Sequence, residues 1–329
     1  MTPNNTSRSA PGLIKRLIGV KSGAVLVVLI ALALLPLYGS DYVISIGLLV
    51  FAYLALGQMW NLLAGYSGLV SLGQQSFIGI GAYSLAMVST VYQLSVAWSF
   101  FVAAGVAVAF AFVISFPIFR LSGVYFTIGT WIVSESAVLF FRNWSFVNFD
   151  AGYSVPAVYR ISMGALYLGA FALGIASVAL VLFILRSKLG LALMAMRDNP
   201  AAAEARGVHL YRAKLACFLI SSAYIALTGV VLYMNIAYVK PGPAFGIDWA
   251  VSMVFIVVIG GIGTIEGPII GSVIYVILRQ YLINFPGISL IILGAVAVVV
   301  ILLAPKGIMG ALHSRFGLEF FSVRRKIDE

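Results

Sequence analysis

Few side chains in this sequence can do chemistry, and those that can sit in apolar surroundings. Glu135 stands between Ser134 and Ser136 in a long apolar run, with Thr127 and Thr130 at helical spacing before it. Gln74 and Gln75, flanked by Ser71 and Ser76, lie among Gly65, Gly68, Gly73, Gly79 and Gly81. A carboxylate, two amides and several hydroxyls placed this way suit non-covalent handling of a polar solute. They do not suit bond breaking, because no nucleophile and base stand together in the sequence. His209 and His313 are far apart without a Cys beside either, so spacing offers no metal site. Cys217 lies in an apolar run and reads as a small packing or lipid-facing residue. No cofactor is implied. A phosphate-cradling loop needs Gly-Lys followed by Ser or Thr, and no lysine here follows a glycine. Any energy for work must therefore come from another subunit or an ion gradient.

The surroundings explain why these residues stand out. Of 329 residues, 62% are hydrophobic and 9% charged, and mean hydropathy is +1.10. A soluble domain is about one quarter charged, so this chain cannot clothe a water-facing surface, and a bilayer removes that need. Alternating apolar and polar residues of the kind that build a membrane β-barrel are absent. The composition therefore defines an all-α polytopic membrane protein. The net charge of +10 is not a nucleic-acid footprint, since the basic residues fall in the gaps between apolar runs.

Apolar runs at about 23–38, 42–63, 69–90, 96–118, 121–141, 165–185, 215–237, 248–263, 267–285 and 288–304 predict about ten transmembrane helices. The glycine-rich stretches near 65–83 and 260–275 predict that some are broken or re-entrant. Residues 1–22 read as a flexible cytoplasmic segment, 23–305 as a transmembrane domain and 306–329 as a cytoplasmic tail. A cleaved signal peptide is the rival reading of the first run, but Leu35-Pro36-Leu37-Tyr38 offers no small-residue cleavage site. With the N-terminus inside, sixteen of the twenty Lys and Arg residues fall in inside segments. The charge rule thus puts both termini in the cytoplasm. Arg279 lies in a span, where it either snorkels to the headgroups or joins a pathway. Glu135 either lines a path or is a hydrogen-bonded packing residue, because a bare charge at mid-bilayer costs about 2.5–3.5 kcal/mol.

The inside loop at about 186–214 carries a complete helix signal. Asn199 is a good N-cap, and Pro200 suits the first helical position. Ala201, Ala202, Ala203, Glu204 and Ala205 are strong helix formers, and Gly207 can end the helix in the left-handed region. Two turns are marginal alone in water, so packing must hold them. A stiff element ringed by Arg197, Asp198, Glu204 and Arg206 suits docking by a soluble partner. The alternative is a helix lying on lipid headgroups, for which alanine supplies little apolar area. The outside loop at about 142–164 either docks an external partner or is a connector with interfacial aromatics.

Four stretches, taken in order, resemble the membrane subunits of ABC importers for branched-chain amino acids. They are Asn61 to Gly68 running into SLGQQSFIGIGAY (71–83), GVYFTIGTW (123–131), SKLGLALMAMRDNPAAAEARGV (187–208), and VIGGIGTIEGPIIGSVI (258–274) with Ala304-Pro305-Lys306-Gly307. They cover residues from about 55 to 310. The resemblance implies a permease subunit of an ATP-driven importer in the bacterial inner membrane, working by alternating access. It implies a second permease subunit, two cytoplasmic ATPase subunits and an external substrate-binding protein as partners. Asp198, Asn199, Pro200, Ala203, Glu204, Ala205, Arg206 and Gly207 would then form the ATPase-coupling helix. Relatives that take urea, amides or other amino acids leave the substrate open. Gln74, Gln75, Thr127 and Glu135 are the candidates for the translocation path, and ordinary small-residue packing explains the glycines nearly as well. An ion-coupled secondary transporter is the rival reading, with Glu135 the sole carboxylate well inside a span. A passive channel leaves the capped loop helix unexplained.

Overall fold

The computed structural model describes residues 26–304 and 307–316. The expected N-terminal segment 1–22, Pro305, Lys306 and the expected tail beyond residue 316 lie outside them. Helices dominate, as the apolar runs require. In chain order they are α1 (26–33), α2 (Leu35–Tyr38), α3 (Asp41–Asn61, continued by a π-helical turn Leu62–Tyr66), α4 (Gln75–Ala86, continued by a second π turn Met87–Val91) and α5 (Val96–Ile118). Then come α6 (Val124–Asn143), α7 (Met163–Arg186), α8 (Lys188–Asp198), α9 (Pro200–Ala205) and α10 (Leu210–Ile236). The last are α11 (Pro241–Ala244), α12 (Ile247–Gly260), α13 (Gly267–Leu282), α14 (Pro286–Leu303) and α15 (Gly307–Phe316). Polar side chains start several of them: Ser95 caps α5 by accepting from Ala97 N–H at 3.4 Å, and Ser162 caps α7 by accepting from Ala165 N–H at 3.3 Å.

Among the described residues, seven helical stretches are long and apolar enough to cross a bilayer, so the expected count of about ten is not reached at full spanning length. Two more apolar helices, Gln75–Val91 and Gly267–Leu282, are shorter. Part of the shortfall has a physical cause, while the first run, 23–38, lies partly outside the described residues. The chain leaves helical geometry between Ser67 and Gln74 and again between Gly261 and Glu266, which removes residues from runs that hydropathy reads as continuous. Both breaks fall in the stretches where broken helices were expected. Gly261 at φ 130° and Gly263 at φ 73° occupy backbone conformations that side chains resist.

α3 is the axis of the fold. It packs on α7 along one side and on α10, α12 and α13 along the others. Phe51 meets the rings of Tyr167 and Phe171 edge-on at 5.9 and 4.9 Å, and the Tyr167 hydroxyl donates to Leu32 O at 2.7 Å, tying α1 to α7. α10 is the second buried helix, packed on α4 and α5. α12 and α13 cross so closely that a Cβ on Gly260 would strike the Gly267 carbonyl and one on Gly271 the Ile256 carbonyl.

The two ends of the bundle differ. At one end Tyr153–Ser154 (β1) pairs antiparallel with Tyr238–Val239 (β2), and Asp150 sits between Arg142 at 3.4 Å and Lys240 at 3.5 Å. These exposed ion pairs add little stability, but with β1–β2 they set the 142–164 loop against the start of α11. The opposite end holds α8, α9, both helix breaks and the start of α15.

Gly260→Val should overpack the α12–α13 crossing, because backbone rather than a movable side chain stands in the way. A cost of about 1–3 kcal/mol is expected, read as a lower melting temperature in detergent. Gly105→Val on α5, where a Cβ meets nothing within 4 Å, should leave that temperature almost unchanged.

Candidate functional site

The loop between α7 and α10 folds as its sequence specifies. Ser187 caps α8 through Leu189 N–H at 3.2 Å, and the Asn199 side chain caps α9 by accepting from Ala202 N–H at 3.0 Å. At the other end Gly207 takes φ 84°. Its N–H reaches Glu204 O at 2.9 Å and Val208 N–H reaches Ala203 O at 3.1 Å, the paired bonds of a Schellman stop. Within α9 only Ala203 is buried. Ala201, Ala202, Glu204 and Ala205, together with Arg206, face outward. Ala203 therefore seats the helix on its own chain, while the neighbouring positions form the surface a partner could touch.

Arg197, the last basic residue of α8, ties this loop to the membrane helices. Its Nη1 donates to Gly65 O at 2.8 Å, and its Nε and Nη2 each lie 3.0 Å from Asp198 Oδ1. Its stem lies over Gly68, so a Cβ there would come within 3.3 Å of Arg197 Cγ. The same guanidinium stands 3.5 Å from the position a Cβ on Gly263 would occupy. One side chain thus bonds the end of α3, packs over Gly68 and lies close to Gly263 in the second break.

The two breaks are stitched together by α3. Asn61 accepts from Gly263 N–H at 2.9 Å and donates to Thr264 O at 2.8 Å, as a peptide group would. One turn earlier, Gln58 donates to Ile265 O at 2.7 Å. The first break is held by three bonds from two helices, α3 and α6. Trp60 Nε1–H donates to Ser71 O at 2.9 Å, Thr127 Oγ1–H to Val70 O at 2.8 Å, and Leu72 N–H to Thr130 Oγ1 at 3.1 Å. These bonds satisfy backbone groups that the broken helix leaves free.

Gln74 and Gln75 open α4 from this first break. Both are fully buried, and among the described residues neither their amide nitrogens nor their amide oxygens find a hydrogen-bond partner. An unpaired buried polar group costs about 1–3 kcal/mol, so these two amides stand out among the buried polar side chains. Thr127 joins them, through Val70, at the same break.

Glu135 does not. It lies off the face that Thr130 and Ser134 share, because successive residues turn by about 100°. Thr130 and Ser134 point inward and are buried, whereas Glu135 points outward and is exposed, its Oε1 accepting from Trp131 Nε1–H at 3.2 Å. Arg279 is engaged elsewhere. It donates to the Tyr53 hydroxyl and lies 5.5 Å over the Tyr53 ring, and it lines a cavity of about 170 Å³ with Asn235, Trp249 and Gln280. Sequence reasoning singled out the loop helix and the glutamines but missed Arg197, Asn61 and Gln58 as joints. The available signal was Gln58 and Asn61, two amides three residues apart in an apolar span just ahead of a glycine-rich stretch.

A bundle of membrane-length helices with two internal breaks gathered beneath a capped, outward-facing loop helix defines a polytopic membrane permease. The chain belongs to the family described as branched-chain amino acid transport system / permease component, which matches residues 42–305. It is 28% identical over 322 residues to the high-affinity branched-chain amino acid transport system permease protein LivM of Escherichia coli K12, covering 88% of this chain and 75% of that relative. The LivM protein of Salmonella typhimurium LT2 is similar at 28% over 317 residues, covering 87% and 73%. A probable branched-chain amino acid transport permease protein LivH of Methanocaldococcus jannaschii matches at 28% over 156 residues, covering 45% and 49%. No solved structure matches.

Asn61→Leu should remove both bonds to the second break and strand Gly263 N–H and Thr264 C=O, at about 1–3 kcal/mol each. Hydrogen exchange in purified protein should then quicken across 261–266. Arg197→Ala, which removes one bond to the end of α3, should quicken exchange near 65–68 with a smaller loss of thermal stability.

Proposed function

We propose that this permease is one membrane subunit of a heteromeric, ATP-driven importer that moves branched-chain or related amino acids inward by alternating access. The observation that carries the reading is the α8–α9 element: capped at both ends, seated through Ala203, open on its outer face and bonded through Arg197 to the end of α3, close to Gly68 and Gly263 in the two breaks. Its outer face, formed by Asp198, Asn199, Pro200, Glu204, Ala205, Arg206 and the Gly207 stop, meets a cytoplasmic ATPase. Two such ATPases, a second permease subunit and an external substrate-binding protein complete the complex in the bacterial inner membrane. The α8–α9 end faces the cytoplasm with both termini, in keeping with the concentration of Lys and Arg on that side.

Rigid-body motion of the docked ATPase enters through α9, passes along α8 and reaches the breaks through Arg197. A break can change its direction with few new bonds, because its backbone is already held by side chains rather than by a helical ladder. Gln74 and Gln75 lie near the path, where a polar solute, water or the second subunit meets their unpaired amides. Thr127 lines the same break, whereas Glu135 points outward from α6, away from these groups. Small polar solutes such as urea or amides fit the same polar groups, so the substrate side chain is the property to measure.

Co-purification in mild detergent tests the partner reading. Wild type should bring down a soluble ATPase and a second permease. Glu204→Arg, which inverts a charge on the presented face, and Gly207→Pro should both lose the ATPase and keep the second permease. Proline cannot adopt φ 84° and removes the N–H that bonds Glu204 O. A chain that purifies alone and transports in vesicles without ATP sinks the importer reading in favour of ion coupling.

Arg197→Ala should leave the ATPase bound yet lower substrate moved per ATP hydrolysed by about tenfold, within the usual range of coupling between distant sites. Arg197→Lys, which keeps one donor toward Gly65 O, should recover part of it. Unchanged transport per ATP in Arg197→Ala would remove the arginine from the relay.

A further inference from the structure

Membrane helices that face lipid should be apolar, and helices buried within protein are free to be less so. The spans of this chain follow that rule, with one exception. α5 and α7 are 28% and 33% buried, with mean hydropathies of 2.4 and 2.6. The spans of α3, α10 and α11–α12 are 56–67% buried, and their mean hydropathies are lower, 1.9–2.2. α6 breaks the pattern. It is only 22% buried, yet its mean hydropathy is 1.5, the lowest of the seven.

The polarity lies partly on the exposed side. Ile128, Trp131, Ile132, Glu135 and Leu139 form one exposed stripe at helical spacing, with the carboxylate inside it. Glu135 is the twelfth of the twenty residues of α6, so a rise of 1.5 Å per residue puts it about 2 Å from the middle of the helix. Neither snorkelling to a headgroup nor a short shift of the helix can bring it to water, and hydrocarbon is an expensive neighbour for it. The Trp131 indole supplies one hydrogen bond, and a carboxylate has room for more. α6 is also thinly supported by its own chain: an open apolar cavity of about 400 Å³, lined by Ile80, Val106, Phe110, Val133 and Phe140 among others, lies between it and α4 and α5. Among the described residues, the exposed positions of α5 and α14 are apolar, Phe101, Val113, Val299 and Leu302 among them.

We infer that the Ile128–Leu139 stripe of α6 is the surface that meets the second permease subunit, and that Glu135 lies at mid-depth in that seam. This rests on the heteromeric importer reading and locates its permease contact. The partner is a different subunit of the same family, presenting hydrogen-bond donors or a cation opposite Glu135 within an otherwise apolar helix face. A transport path that runs along the seam then has a carboxylate on one wall, available to an amino group or to water. α5 and α14 face lipid.

Photocrosslinking in the intact complex tests this. A benzophenone amino acid replaces Ile132 or Leu139 on α6, and Val113 on α5 or Val299 on α14 as controls. The α6 positions should give an adduct with the mass of this chain plus the second permease, and the controls none. As a second measurement, Ile132→Trp should weaken recovery of the second permease by about tenfold, while Val113→Trp leaves it unchanged. Glu135→Leu, which a lipid-facing site would welcome, should abolish most transport with the ATPase still bound. Adducts only through α5 or α14, adducts between two copies of this chain, or α6 variants that neither cross-link nor weaken recovery would overturn the inference. The wild-type complex is isolated first. If it holds no second permease, the importer reading itself fails. A second permease that cross-links elsewhere sinks only the placement on α6.

Discussion

A helix that stops inside a protein leaves backbone N–H and C=O groups that need partners, and this chain interrupts its helices twice among buried residues. Much of the fold can be understood as the means of satisfying those groups. Asn61 replaces a stretch of backbone for Gly263 and Thr264, Gln58 does so for Ile265, and Trp60, Thr127 and Thr130 do so for residues 70–72. Most of these donors and acceptors stand on α3, which explains why a helix so central to the bundle carries amides in an apolar sequence. The close crossing of α12 and α13 through small residues keeps the second break within reach of α3.

The same constraint makes the breaks suitable points of motion. A continuous helix moves as a rod, whereas a break held by a few side chains can pivot while those bonds persist or exchange. Arg197 sits where a pivot would be driven, bonded to Gly65 O and close to Gly263, at the end of an element whose own geometry is set by local caps. The π turn after α3 adds a further local departure from regular helix just before the first break. Gln74 and Gln75, buried and without partners among the described residues, are the residue of polarity left over when the backbone accounts are complete.

Lipid and protein set different demands on the outer surface, and the seven spans record them. Exposed helices are the more apolar ones, apart from α6, where a carboxylate, an indole and an exposed apolar stripe share one face. That mixture suits neither hydrocarbon nor the interior of this chain, and it gives the bundle a side distinct from its lipid-facing perimeter.

The membrane class, the helical architecture, the location of both breaks and the capped helix at Asn199–Gly207 were all legible in the sequence. Each rests on local physics: hydropathy over a run, the backbone freedom of glycine, or a cap that acts within four residues of its target. Even so, hydropathy overcounts full-length spans, because residues 69–74 and 261–263 are apolar enough to read as membrane helix while their backbone is not helical. What tertiary structure alone decided is which distant groups meet. Asn61 finds residues more than two hundred positions away, and Arg197 finds Gly65 across 132 positions, pairings that no local pattern encodes. The orientation of α6 is of the same kind. Its sequence places Ser134 and Glu135 side by side, but only the packing of Phe126, Thr130 and Ser134 against neighbouring helices turns the serine inward and the carboxylate out. A helix can bury any of its faces, and the choice is made by the helices it packs against.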